Sequence, residues 1–327
     1  MKVFDHIQAA SLDESLASGT TICIGNFDGC HLGHQKLIQN VIERSQELGT
    51  PSIILTFEPS PKVFFDPHQA QRQLVSQEQK LASFRELGVD IVIQHPFDAS
   101  FSQISPESFV DLLKDTLHCR HLYVGKNFHF GKNRSGNTDF LKRYVEHFEV
   151  CDLPIEPFAG EHISSTRIRS CLEEGDAALA HRLLGRPYAL LGSIKKGQQL
   201  GRTLAFPTAN LQTTNQLIPK FGVYAGFVWL DGEGSPPTEL RPDLSLLHPT
   251  VFNIGVKPTV DGDHSPSVEG HILDKKWQAD ELYQQQARYY LTNFIRDEIK
   301  FPSLDALREQ IGKDCETARM LTHPWER

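Results

Sequence analysis

Between residues 20 and 125, runs that read as strands alternate with stretches of helical periodicity, and this alternation restricts the fold more than any other feature. Strand-like runs occur at Thr21–Ile24, Ser52–Phe57, Ile91–Gln94 and His121–Val124. Between them, residues 35–48, 77–87 and 106–117 carry apolar side chains at helix-like spacing. Strand–helix–strand repetition buries its apolar faces as a parallel sheet covered on both sides. The first half is therefore expected to be an α/β domain.

From Tyr188 onward the texture changes. Short apolar runs at Ala189–Ile194, Val223–Leu230, Val251–Ile254, Ser267–Leu273 and Ala287–Ile295 are separated by Gly, Pro and Asp turns. That pattern predicts an antiparallel barrel or sandwich. The stretch Asp231–Pro249, with four prolines and two glycines, reads as a long loop between strands. A closing helix is predicted over Ser303–Met320, with Ser303 as N-cap and Leu304, Leu307 and Ile311 as its apolar stripe. The boundary falls near Leu184–Pro187, giving domains 1–186 and 187–327, and 327 residues suffice for both.

Bulk properties exclude several classes. A hydrophobic content of 39% fits a globular chain rather than a disordered one. A net charge of −8 argues against a general nucleic-acid binder. The N-terminal stretch "MKVFDHIQAASLDES" lacks an apolar core, and no run of about 18 apolar residues occurs, so neither a secretory signal nor a membrane span is expected. Cysteines 23, 30, 119, 151, 171 and 315 are scattered without a CxxC pair, as in free thiols of a reducing cytoplasm.

The stretch "IGNFDGCHLGHQKLI", residues 24–38, places His31 and His34 at a strand-to-helix turn. In open α/β sheets ligands bind outside the carboxyl ends of the strands. Three readings compete. A metal site would want further ligands in a recognisable spacing, and none is adjacent. A helix cap would leave the histidines incidental. An anion site would use Gly25, Gly29 and Gly33 for close backbone approach to phosphate, the helix N-terminus for N–H donors, and two imidazoles for charge on a departing pyrophosphate. The third reading, an adenylyl-transfer arrangement, is favoured.

Other stretches carry chemistry. In "SSTRIRSCLEEGD", Ser164, Ser165 and Thr166 precede Arg167 and Arg169 and a helix, which suits either a plain cap or an anion clamp. "YVGKNFHFGKNRSGN", residues 123–137, is a Gly-, Asn- and aromatic-rich loop that suits a flat ring or a purely structural turn. "GRTLAFPTANL" sets Thr208 and Asn210 two apart, on one side of a strand, as hard oxygen ligands for Mg²⁺ carrying a nucleotide phosphate. Glu269 in "SVEGHILD" is an acid in an apolar strand, either a general base or an outward-facing carboxylate.

In one order along the chain stand "GNFDGCHLGH", "TFEPSP", "VGKNFHFG", "ISSTRIR", "LLGRPY", "GRTLAFPTANL", "FGVY", "NIGVKPTV", "VEGHILD" and "LYQQQARYYLTNFIRDEIKF". With them the chain resembles, over nearly its whole length, the bifunctional bacterial riboflavin kinase/FAD synthetase family. The histidine motif alone is also similar to class I aminoacyl-tRNA synthetases, but the acidic charge and the lack of a lysine-rich loop oppose tRNA charging.

The resemblance implies a Rossmann-like nucleotidyltransferase domain that moves AMP from ATP onto FMN, giving FAD and pyrophosphate. It implies a β-barrel kinase domain that phosphorylates riboflavin with Mg²⁺–ATP to FMN. By resemblance, Gly25, Asp28, Gly29, His31 and His34 handle the adenylylating ATP. Ser164, Ser165, Thr166 and Arg167 complete its phosphate site, and Asn127 sits by the nucleotide or flavin. In the kinase half Gly201, Thr208 and Asn210 serve ATP, with Thr208 and Asn210 on Mg²⁺. Glu269 is the base for the ribityl 5′-hydroxyl, and Arg296 lies over the flavin or phosphates.

Two positions depart from the family pattern. Ser60 stands where histidine is frequent, and Ala205 where glycine is usual. The expected partners are riboflavin, FMN and ATP in the cytoplasm, without nucleic acid or membrane; self-association is left open. The alternatives are a chain that retains one of the two activities, or a flavin-binding regulatory protein without turnover.

Overall fold

The computed structural model describes residues 1–153, 157–158, 161–196, 206–213, 216–231, 235–256, 266–274 and 282–323. Gly201 and Ala205 lie outside the described residues. The chain divides into two compact units, Met1–Ala70 with Gln77–Ser164, and Gln71–Ser76 with Ser165–Arg327.

The first unit alternates as its periodicity predicts. β1 (Lys2–Phe4) and α1 (Ile7–Ala10) precede β2 (Thr20–Ile24), α2 (Leu32–Leu48), β3 (Ser52–Phe57), α3 (Pro61–Phe65), α4 (Gln77–Leu87) and β4 (Ile91–His95). Then follow α5 (Pro106–Asp111), β5 (Cys119–Gly125), β6 (His129–Phe130), β7 (Gly136–Asn137), α6 (Thr138–Lys142) and β8 (Glu149–Leu153). A short hairpin of β9 (Pro157–Phe158) and β10 (Glu161–His162) ends the unit.

The main sheet has the order β1-β4-β3-β2-β5-β8, and every pairing is parallel. Winding runs from β2 through β3 to β4 and then crosses to β5 on the other side of β2. The topological switch point therefore lies between β2 and β5, where open α/β sheets bind ligands. Ile22, Ile24, Ile53, Leu55, Ile93, Leu122 and Val124 form one buried core on one face of the sheet. The helix expected over 106–117 is shorter. α5 stops at Asp111, and a π-turn over Leu112–Thr116 closes with Leu117 N–H donating to Leu112 O at 3.0 Å.

In the second unit α7 (Ser165–Glu174) and α8 (Ala177–Leu184) lead into six strands. These are β11 (Tyr188–Lys195), β12 (Ala209–Thr213), β13 (Gly222–Leu230), β14 (His248–Val256), β15 (Pro266–Ile272) and β16 (Gln286–Arg296). They close as β11-β12-β15-β14-β13-β16, with β16 antiparallel to β11, so the barrel and not the sandwich is formed. Gly226 permits the closure at its most crowded point, because a Cβ there would lie 1.9 Å from the carbonyl oxygen of Tyr290. The segment between β13 and β14 carries one 3₁₀ turn, Leu244–Leu246, in its described part.

α9 (Leu304–Thr322) starts where predicted, with the Ser303 hydroxyl accepting from Ala306 N–H at 3.2 Å. It lays Cys315 and Ala318 against Val223, Ala225 and Val251 on the barrel's outer face. All six cysteines are free. Among the described residues no helix is long and apolar enough to cross a membrane.

Candidate active sites

In the first unit the histidine turn joins β2 to α2 at the switch point. Phe27, Gly29 and Cys30 all have positive φ (51°, 84° and 39°), a tight reversal that brings the helix start back over the strand ends. Gly25 leaves room for the Phe27 ring, since a Cβ there would lie 2.9 Å from it. Asp28 is buried in the turn, 7% exposed.

His31 is the N-cap of α2, and its Nδ1 accepts from the backbone N–H of His34 at 3.2 Å. The capping reading and the anion reading are thus compatible. A neutral imidazole that accepts at Nδ1 carries its proton on Nε2, which remains a donor. The His34 ring stacks on His31 with centroids 3.6 Å apart and 16° between planes, and meets the edge of Phe27 at 5.3 Å. Burial, then the neighbouring His31, hold the His34 pKa well below the ordinary histidine value, so His34 is neutral at pH 7. Its Nδ1 is buried and has no hydrogen-bond partner among the described residues. Two neutral imidazoles, one with an orphaned ring nitrogen, stand at a helix N-terminus whose N–H groups favour anions.

Asn127 lies in the exposed turn after β5, across the switch point from the histidine turn, and its carbonyl accepts from the His129 ring at 2.9 Å. Ser60 is spent on structure: its hydroxyl caps α3 by accepting from Val63 N–H at 3.4 Å. A charged neighbour was missed by sequence reasoning. Lys80 on α4 has a side chain only 8% exposed, and its Nζ lies 3.8 Å from Glu58 Oε2. Burial lowers its pKa, while Glu58 and Asp28 act in the opposite sense. A lysine in an amphipathic helix gives no sequence signal that it points inward.

Ser164 ends the first unit, and Ser165, Thr166 and Arg167 begin the second. Contrary to the expected order, Arg167 and Arg169 do not precede a helix but lie in the first turns of α7. Within that unit Arg169 Nε donates to the Arg72 carbonyl at 2.8 Å.

The barrel holds the second site. Glu269 on β15 faces outward, and both carboxylate oxygens accept hydroxyls, Oε1 from Ser267 at 3.1 Å and Oε2 from Thr208 at 3.2 Å. Asn210 on β12 is the direct register partner of Glu269, so hydroxyl, amide and carboxylate share one face. This hard-oxygen set with one carboxylate fits Mg²⁺ bound largely through substrate phosphates and water. Among the described residues no group of three or more His, Cys, Asp or Glu is placed to hold a metal.

Thr208 and Glu269 line a cavity of about 400 Å³, walled by Phe206, Val251, Ile299, Phe301, Leu307 and Ile311. Arg296 also lines it. Its guanidinium forks onto Asp314 of α9, with Nε 2.9 Å from Oδ1 and Nη2 2.6 Å from Oδ2, while Gln310 donates to Oδ1 at 2.9 Å. Asp314 and the apolar wall from α9 were not singled out from sequence. The Leu307 and Ile311 stripe was legible only as a packing face.

Comparison with known proteins follows the same division. A family model described as FAD synthetase matches residues 13–167, and one described as riboflavin kinase matches residues 184–322. A bifunctional riboflavin kinase/FMN adenylyltransferase of Pseudomonas fluorescens is 39% identical over 309 residues, 94% of each chain. That of Escherichia coli K12 is 38% identical over 314 residues, 94% of this chain and 95% of the other. That of Listeria monocytogenes is 34% identical over 310 residues, 94% of each chain. A solved structure described as a macrolide-efflux protein from Streptococcus pneumoniae shares the fold, with a TM-score of 0.83 over 100% of both chains at 24% identity.

Proposed function

The chain belongs to the bifunctional riboflavin kinase/FMN adenylyltransferase family, an enzyme that uses ATP to convert riboflavin to FMN and FMN to FAD, and from that premise we propose which of its residues carry each reaction. Residues 1–186 are assigned to adenylylation and 187–327 to the kinase. The protein acts in the cytoplasm on small-molecule substrates, with Mg²⁺ accompanying ATP.

In the kinase reaction Glu269 removes the proton of the ribityl 5′-hydroxyl. The freed oxygen forms a bond to the γ-phosphorus of ATP, and the bond from that phosphorus to the β,γ-bridging oxygen breaks, leaving ADP. Ser267 and Thr208 fix the carboxylate from both sides, so that it meets the hydroxyl in one orientation. Thr208 and Asn210 would hold Mg²⁺, which would supply neutralisation of phosphate charge. Arg296, held by Asp314, borders the flavin.

In the adenylyl transfer a phosphate oxygen of FMN attacks the α-phosphorus of the second ATP, and pyrophosphate leaves with the bonding pair. His31 Nε2–H, His34 and the N-terminus of α2 donate to the growing charge. By family resemblance Ser164, Ser165, Thr166 and Arg167 are assigned to binding ATP phosphate, and Asn127 to the nucleotide or flavin. The observation that carries the reading is Glu269, a carboxylate held by two hydroxyls on the wall of an apolar cavity of ligand-binding size.

The test separates the halves by product. With riboflavin and excess Mg-ATP, Glu269→Gln is expected to lose FMN formation by about 10²-fold or more, yet to convert supplied FMN to FAD at the wild-type rate. The His31→Ala/His34→Ala double variant should stop at FMN. Near-normal FMN formation by the folded Glu269→Gln protein refutes the base, and wild-type FAD formation by the folded double variant refutes the histidine roles.

A further inference from the structure

Asn253 belongs to the motif "NIGVKPTV", to which no role is given above. It is an exposed residue in β14, where both flanking residues on each side are buried. Its register partner on β15 is Glu269, and on β13 it is Val223, which in turn pairs with Arg296 on β16. Side chains of directly opposed residues lie on one face of a sheet. Glu269, Asn253, Val223 and Arg296 therefore form a lateral row, and all four line the same cavity.

Neighbouring strands lie about 5 Å apart, so Asn253 stands about 5 Å along the sheet from Glu269, Val223 about 10 Å and Arg296 about 14 Å. This row is a ruler for a substrate. With Glu269 at the terminal 5′-hydroxyl, the next position meets the secondary hydroxyls of the ribityl chain. The apolar position and the arginine beyond it meet the tricyclic ring. Among the described residues the Asn253 side-chain amide makes no hydrogen bond, and it faces the cavity. An amide offers both a donor and an acceptor, as a chain of hydroxyls does.

We propose that Asn253 is a specificity-determining residue of the kinase reaction, reading the secondary hydroxyls of the ribityl chain one strand from the base. The assignment rests on the reading of Glu269 and its cavity given above. The side-chain polyol is thereby recognised separately from the ring, and a flavin whose side chain keeps only its terminal hydroxyl is a poor substrate for a stated reason. A site built to hydrogen-bond a hydroxyl discriminates against the analogue that lacks it.

The probe is a flavin whose N10 side chain is 5-hydroxypentyl, which keeps the terminal hydroxyl and lacks the secondary ones. kcat/KM for phosphorylation of riboflavin and of this analogue is measured for wild type and for Asn253→Leu and Asn253→Ala. The ratio of the two values is expected to fall about tenfold or more in both variants, the worth of a neutral hydrogen bond or more, because riboflavin loses a contact that the analogue never makes. Phosphorylation of the analogue by the same preparations monitors folding of the barrel, because the analogue never makes the contact with Asn253. An unchanged ratio in variants that still phosphorylate the analogue overturns the assignment. Glu269→Gln is assayed alongside: full kinase activity there removes the underlying reading, whereas its loss with an unchanged Asn253 ratio removes the Asn253 assignment alone.

Discussion

His31 performs two tasks with its two ring nitrogens. Nδ1 is committed to the cap of α2, which fixes the tautomer and leaves Nε2–H as a neutral donor. His34, stacked on it and partly desolvated, is also kept neutral. The charge of the turn therefore resides elsewhere, in Asp28 and in Lys80. Lys80→Met removes a buried cation that acts on the Glu58 and Asp28 carboxylates. Glu58 is half-exposed, so the expected loss is a modest 1–3 kcal/mol, roughly, from the first unit. FAD formation from FMN should drop at least tenfold while riboflavin phosphorylation persists, with Lys80→Arg recovering most of it. Equal FAD rates in Lys80→Met and wild type would show that the cation is dispensable. At this scale the turn residues themselves were legible, since sequence neighbours make the turn. Lys80, Asp314 and Asn253 were not, because each acquires meaning from a partner on another element.

Among the elements, α9 is both a cover for barrel strands and one wall of the kinase cavity. Its orientation depends on the Asp314 fork to Arg296, in which Asp314 is nearly buried. Asp314→Ala breaks a two-pronged contact and leaves Arg296 without its anion. The expected result is a KM for riboflavin about tenfold higher, faster amide exchange over 304–322, and an unaltered rate of FMN adenylylation. Retention of wild-type KM and protection would show that apolar packing alone seats the helix. The start of α9, the limits of β3 and those of α4 stand at the residues expected, because caps and periodicity are local. β1 was passed over, being too short for a period to show, and β8 because Glu149 and Asp152 interrupt its apolar run. The barrel could not be told from a sandwich, because closure depends on the pairing of β11 with β16, and strand periodicity is the same in both folds.

For the whole molecule, acid should be destabilising in both units. Burial lowers the pKa of His34 and His95 in the first and of His181 and His271 in the second, His95 and His181 to about 4. In the unfolded chain these groups titrate near 6.5. Between pH 6.5 and about 4 the unfolded state binds more protons, so stability present above that window is lost as pH falls through it. Tm measured at pH 7.5, 6 and 5 should decline at each step, and a flat profile would contradict the burial of these rings. The seam of the barrel has a separate consequence for how the protein is made. β11 hydrogen-bonds on one side to β12 and on the other to β16, a strand about a hundred residues later in the chain. On the ribosome, β11 must therefore wait with one bare edge until nearly the whole polypeptide has emerged. Contacts so distant in sequence close slowly, and an unpaired edge invites pairing with other chains in the meantime. A nascent chain stalled before residue 286 lacks the last stave, and both β11 and β13 are then left open to strangers.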